Sequence, residues 1–137
     1  VDAGRRVLVL VKLVDHAYAL SQAMRDAGIE SHALVGERSP TDRKSIIAAM
    51  RDGTAEAVIA TTIADEGLDV PRLDTVILAH PCGDVARVEQ RIGRVCRPHR
   101  ESMSPLVIDI VDPWGPLQGY ARRRSSLYRS RGWESRQ

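Results

Sequence analysis

The sequence predicts an α/β fold built on a doubly wound parallel sheet, and three observations carry that prediction. Short aliphatic runs such as RVLVLV at Arg6 to Val11 are apolar without a break, as strands covered on both faces require. Between these runs lie stretches with apolar residues at helical spacing, so strand and helix alternate along the chain. Helix starts and stops punctuate the alternation, with Ser39-Pro40 opening one helix and Gly28 and Gly53 closing two.

Arg6 to Val11 is the first strand. A helix should follow, with Asp15 near its N-cap, an apolar stripe of Ala17, Leu20, Met24 and Ala27, and Gly28 as its stop. Ser31 to Val35 is a second strand. Ser39 then offers an N-cap, Pro40 sits at N1 and Asp42 at N3; Ile46, Ile47 and Met50 form the buried stripe and Gly53 ends the helix. Ala57 to Ala60, Thr75 to Ala79 and Leu106 to Val111 are the remaining strands, with a helix around Gln90 between the last two. From residue 114 the composition changes. Trp114, Tyr120, Tyr128 and Trp133 interleave with Arg122, Arg123, Arg124, Arg129 and Arg131, which suits phosphates and stacked bases. Leu117, Tyr120, Ala121, Arg124 and Tyr128 also follow helical spacing, which suits a terminal helix packed on the domain. The chain therefore divides into a single domain over residues 1–113 and an Arg- and aromatic-rich C-terminal helix or tail over 114–137.

At 137 residues and 43% hydrophobic composition, the chain is long enough for one domain with an ordinary core. No run approaches the roughly 18 apolar residues of a membrane span, and no signal segment opens the chain. A soluble protein is expected, and two cysteines without CxxC spacing fit a reducing cytoplasm. Val1 in place of an initiator Met suggests a piece of a longer protein. The net charge of +2 is unevenly spread: from Gln118 onward it is +5, which leaves −3 for the first 117 residues. His16, His32, His80 and His99 share no ligand spacing, so no metal site is expected. Asp109 and Asp112 read as caps in a loop at the sheet edge.

The candidate chemistry centres on Gln90 to Arg97, QRIGRVCR. On a helix Gln90, Arg94 and Arg97 share one face, and Val88, Ile92 and Val95 fall on the other. Guanidiniums a turn apart match phosphate oxygens, and a mid-helix Gly93 suits the close approach of a backbone or ligand. A solvated arginine face on an amphipathic helix has the same pattern. The third strand runs into Thr61-Thr62 and a carboxylate-rich turn containing Gly67 and closed by Pro71. Hydroxyls and free backbone N–H groups at such a junction suit a phosphate, although Thr, Asp and Gly are also ordinary cap and turn residues.

Taken together, Ala60 to Pro71 and Gln90 to Pro98, in this order with a strand between, resemble motifs V and VI of superfamily 2 helicases and nucleic-acid-dependent ATPases. The opening VLVLVKLVDHA resembles motif IV. Gly36 through Arg43, followed by RDGTAEAVIAT, is similar to the connecting block of the same domain. The resemblance covers about residues 5 to 112 and identifies the second, C-terminal RecA-like domain of that superfamily. The ADEGLDVP wording looks closest to the branch of type III restriction-type, phage and DEAD/DEAH-like translocases.

The resemblance implies a P-loop NTPase-type fold and roles for particular residues. Arg97 would be the arginine finger that reaches the γ-phosphate, Arg94 would assist it, and Gln90 would couple nucleotide to bound strand. Gly67 and Asp69, with Arg94 and Arg97, would face ATP, and Thr61 or Thr62 would hold a nucleic acid backbone phosphate. The implied cofactors are ATP and Mg²⁺, and the implied partners are nucleic acid, DNA in preference to RNA, and an N-terminal RecA-like domain of the same protein. Neither Lys12 nor Lys44 lies in a GxxxxGK[ST] frame, so the β-phosphate and Mg²⁺ would be held mainly by that other domain. This chain alone is therefore expected to be inactive. Two alternatives stand beside this reading: a non-catalytic RecA-like module that binds nucleic acid or protein, and an unrelated doubly wound domain with a small phosphorylated ligand.

Overall fold

A computed structural model describes residues 4–61, 70, 73–95 and 104–133, with residues 94 and 95 described by their backbone only. The elements are β1 (Val7–Val11), α1 (Val14–Asp26), β2 (Ser31–Leu34), α2 (Pro40–Asp52), β3 (Ala57–Thr61), β4 (Thr75–Leu78), α3 (Val85–Val95), β5 (Leu106–Asp109) and α4 (Gly115–Ser130). The strands form one sheet in the order β2-β3-β1-β4-β5, and every neighbouring pair is parallel.

The unbroken apolar runs occupy the centre of this sheet because strands there have no solvent face. All five residues of β1 and of β3 are buried. Pleating divides each run between two cores. Val7, Val9 and Val11 meet Ala17, Leu20 and Met24 of α1 on one face. Leu8 and Leu10 face the other, where Ile46 and Met50 of α2, Val88 and Ile92 of α3 and Leu127 of α4 close over the sheet. Right-handed crossovers require this division for α1, α2 and α3: the chain turns one way from β1 to β2 and the other way afterwards, so α1 lies opposite α2 and α3, and α4, after the last strand, packs on their side. At roughly 1.5–3 kcal/mol for each large aliphatic side chain buried, these two layers dominate the stability of the sheet.

Local chemistry sets the ends. Ser39 Oγ accepts the Asp42 N–H at 3.1 Å, Pro40 opens α2, and Gly53 closes it at φ +87°. In α1 the N-cap is Leu13, which makes no side-chain cap bond, and Asp15 lies inside the first turn. Ala27 is exposed at the C-cap rather than part of the stripe, and Gly28 follows at φ +81°. Ser21 is buried in its place: its hydroxyl meets that of Ser31 at 3.3 Å, and the Ser31 hydroxyl donates to the Ser21 carbonyl at 2.9 Å.

The edge strand β5 is shorter and barer than its apolar run implies. It ends at Asp109, while Leu106, Ile108 and Ile110 remain exposed. Register places Ile108 beside Ile77 on the α1 side of the sheet, and among the described residues no helix covers that side over β4 and β5.

The basic tail is mostly helix. α4 packs against α3 and buries Ala121, Arg124 and Leu127. Tyr128 stacks on Trp133 with ring centres 5.9 Å apart, and both pack on the larger core. Arg122, Arg123 and Arg129 stay on the exposed face.

Candidate nucleotide and nucleic-acid edge

In an open parallel sheet, ligands bind beyond the carboxyl ends of the strands, where adjacent connections leave toward opposite faces. Here that point lies between β1 and β4, because β1 leads into α1 on one face and β4 into α3 on the other. Lys12 follows β1 and is exposed, Thr61 ends β3, and His80 follows β4.

Thr61 pairs in register with Val11 and is 4% exposed, so little of its side chain is open to solvent. His80 is buried, its Nδ1 lies 3.4 Å from the Pro81 carbonyl, and its Nε2 has no hydrogen-bond partner among the described residues. Burial lowers the His80 pKa below its ordinary value. The Pro81 carbonyl works against that shift, and the positive charges of Arg91, Arg124 and Lys12 add to it. Burial and these cations therefore favour the neutral imidazole.

The helix carrying QRIGRV is α3. Asp84 opens it by accepting the Arg87 N–H at 3.1 Å, and Val88 and Ile92 are fully buried beneath it. Gln90 and Gly93 are exposed on its outer side. Among the described residues nothing lies within 4 Å of a Cβ placed on Gly93, so any close approach there must come from outside this set of residues. The backbone of Arg94 continues this helix. The side chain of Arg94, and all of Thr62, Gly67, Asp69 and Arg97, lie outside the described residues. Gln90 is thus the expected nucleotide-side residue whose surroundings are visible. The pattern also placed Arg91 in no role, yet it is 4% exposed beside His80.

The sequence left a second polar cluster unread. Asp109 ends β5 rather than capping a loop, and Arg124 of α4 grips it. Nε and Nη2 donate to the two carboxylate oxygens at 2.8 Å each, and Nη1 donates to the Cys82 carbonyl at 2.8 Å. The Tyr128 hydroxyl donates to the same carboxylate at 2.8 Å. Burial opposes the Arg124 charge, but the Asp109 hydrogen bonds and charge outweigh it and raise the guanidinium's pKa. Burial, then the Asp109 carboxylate, pushes the Tyr128 phenol well above its ordinary range, so it remains a donor.

A five-stranded parallel sheet with a switch point beside its first strand, and a Gln- and Arg-bearing amphipathic helix after its fourth, is a RecA-like domain of the superfamily 2 helicase type. Residues 1–99 match the model of the helicase conserved C-terminal domain, and the chain belongs to that family. It is 31% identical over 104 residues to putative helicase 22 of a Sulfolobus islandicus filamentous virus, covering 76% of this chain and 19% of that protein. It is 27% identical over 126 residues to the ATP-dependent rRNA helicase RRP3 of Yarrowia lipolytica, covering 92% of this chain and 25% of that one. The chain therefore spans a quarter or less of these two relatives. Among solved structures, the E. coli DEAD-box protein SrmB, bound to the regulator of ribonuclease activity RraA, superposes with a TM-score of 0.70 at 26% identity, covering 86% of this chain and 68% of that one. The expected preference for DNA finds no support in these relatives, one of which is named for rRNA.

Proposed function

We propose that this chain is the C-terminal half of the motor of an ATP-dependent superfamily 2 helicase or translocase, and that it shares a nucleotide site with an N-terminal RecA-like domain of the same protein. The observation that carries this reading is α3. Its apolar side is locked under the sheet by Val88 and Ile92, while Gln90 and Gly93 are exposed, and among the described residues nothing lies within 4 Å of a Cβ placed on Gly93. The chain has no GxxxxGK[ST] loop, so its residues fit the outer side of a nucleotide and not the cradle of the β-phosphate and Mg²⁺.

In this arrangement Arg97 is the finger that stabilises charge developing on the γ-phosphoryl group, and Arg94 supports it. Gln90 couples that site to the bound strand. Gly67 and Asp69 line the nucleotide side, and Thr61 or Thr62 holds a backbone phosphate. Thr61 is 4% exposed, which leaves little of its side chain open to a strand.

The test is ATP hydrolysis by the full-length protein with and without single-stranded RNA and DNA of matched length. Stimulation by either, with affinity falling steeply as salt rises, is the expected result, and the stronger activator identifies the nucleic acid. A full-length protein that binds nucleic acid but never hydrolyses ATP would instead be the non-catalytic module.

A further inference from the structure

We infer that α4 is a brace for the turn between β4 and α3, and that Tyr120, Arg124 and Arg131 are positioning residues which set the direction of α3, the helix that leads to Arg94 and Arg97 in the sequence. The inference rests on the proposed nucleotide role of α3.

Arg124 is the anomaly that points to it. A fully buried guanidinium is costly to desolvate, and apolar side chains of similar volume often serve a core as well or better. Aliphatic packing has no direction, however, whereas a guanidinium fork holds its partners at fixed distances and angles. Arg124 spans two elements. One edge holds Asp109 at the end of β5, and Nη1 holds the Cys82 carbonyl in the turn leading to α3.

Two further contacts, one from α4 and one from its C-cap, reach the same turn and the first part of α3. The Tyr120 ring lies against Gly83 so closely that a Cβ there would sit 2.8 Å from Cδ1 and from Cε1. Arg131 pairs with Glu89, one turn into α3. Cys82 and Gly83 are thus gripped immediately before Asp84, the residue that caps α3.

The turn acts as the pivot of a rigid rod. With 11 residues at about 1.5 Å each, α3 is about 16 Å long, so a tilt of about 5° at its start moves its far end by about 1.4 Å. A misplacement near 1 Å can cost about 10²-fold in a reaction that depends on positioning. The arginine-bearing end of α3 is the end that moves.

The experiment compares Tyr120→Ala, Tyr120→Phe, Arg124→Lys and Arg97→Ala in the full-length protein. ATP hydrolysis at saturating nucleic acid, KM for ATP and melting temperature are measured for each. Lysine keeps the charge of Arg124 but has no fork with which to span Asp109 and Cys82. The brace predicts that Tyr120→Ala and Arg124→Lys lower kcat by tenfold or more with KM within threefold, and that Tyr120→Phe retains wild-type kcat. If Arg97→Ala loses hydrolysis while Tyr120→Ala stays within twofold of wild type, α4 is packing only and the brace is refuted. A loss that Tyr120→Phe shares, or one carried by KM, refutes it equally. If Arg97→Ala hydrolyses normally, the nucleotide role of α3 fails and the brace fails with it. Should Arg124→Lys not fold, the Tyr120 pair decides, because that half-buried ring can be trimmed without stranding a charge.

Discussion

Replacing Arg124 with Met keeps most of the side-chain volume and removes three charge-assisted hydrogen bonds, two to Asp109 and one to the Cys82 carbonyl. The Asp109 carboxylate, 13% exposed, then retains the Tyr128 hydroxyl as its partner among these groups. Breaking a buried pair from one side typically costs about 3–5 kcal/mol, mostly because a charge is left uncompensated. Against a typical domain stability of about 5–15 kcal/mol, that is a large fraction, and it corresponds to a melting-temperature loss of about 10 °C or more. Urea denaturation followed by far-UV circular dichroism measures it. Adding Asp109→Leu should recover part of the loss, because the stranded charge is then gone, and the cycle should show coupling of about 2 kcal/mol. An Arg124→Met variant within about 1 kcal/mol of wild type, or a strictly additive double variant, refutes the claim that this pair is desolvated and mutually dependent.

Two further outcomes follow from local geometry. The His80 pKa lies below the ordinary 6.5 because burial, and then nearby cations, disfavour the imidazolium. The unfolded chain therefore binds more protons in that window. Stability from this group is intact above about pH 6.5 and falls as pH drops through the depressed folded-state pKa, by at most ~1.4 kcal/mol per pH unit. His80→Gln should flatten the acid-side slope of melting temperature against pH, and an unchanged slope contradicts the burial argument. Gly53→Ala places a side chain at φ +87° and a Cβ 2.6 Å from Arg6 Nη2. A loss of about 1 kcal/mol is expected in urea denaturation, and a neutral effect contradicts the left-handed cap.

The strands β1 to β4 and the helix α2 were legible because their signals are local. An unbroken apolar run, a Ser-Pro start and a Gly stop each act within a few residues. β5 was only half legible. Its apolar run does not reveal that one face lacks a covering helix, since that depends on chain far away in sequence. Arg124 was legible as one of the residues at helical spacing along a packed terminal helix, but its carboxylate partner was not, because in an Arg-rich tail its chemistry looks like that of Arg122 or Arg123. A usable signal was nonetheless present, because Arg124 sits midway between Ala121 and Leu127 on the apolar stripe, where an exposed arginine has no place. Asp109 was misread for the complementary reason, since its partner lies 15 residues further on. The helix α3 and its exposed Gln90 follow the spacing of QRIGRVCR directly, whereas the burial of Arg91 depends on packing that spacing does not encode.

The central claim is that Arg94 and Arg97 complete a nucleotide site formed with another domain. Nucleic-acid-stimulated ATP hydrolysis by the full-length protein, wild type against Arg97→Ala, tests it most directly when folding is checked by thermal melting and ATP binding is measured separately. A fall of about a hundredfold or more, with folding and ATP binding retained, is the predicted result for a finger that acts on the transferred phosphoryl group. Normal hydrolysis by Arg97→Ala would contradict it and leave QRIGRVCR without a nucleotide role.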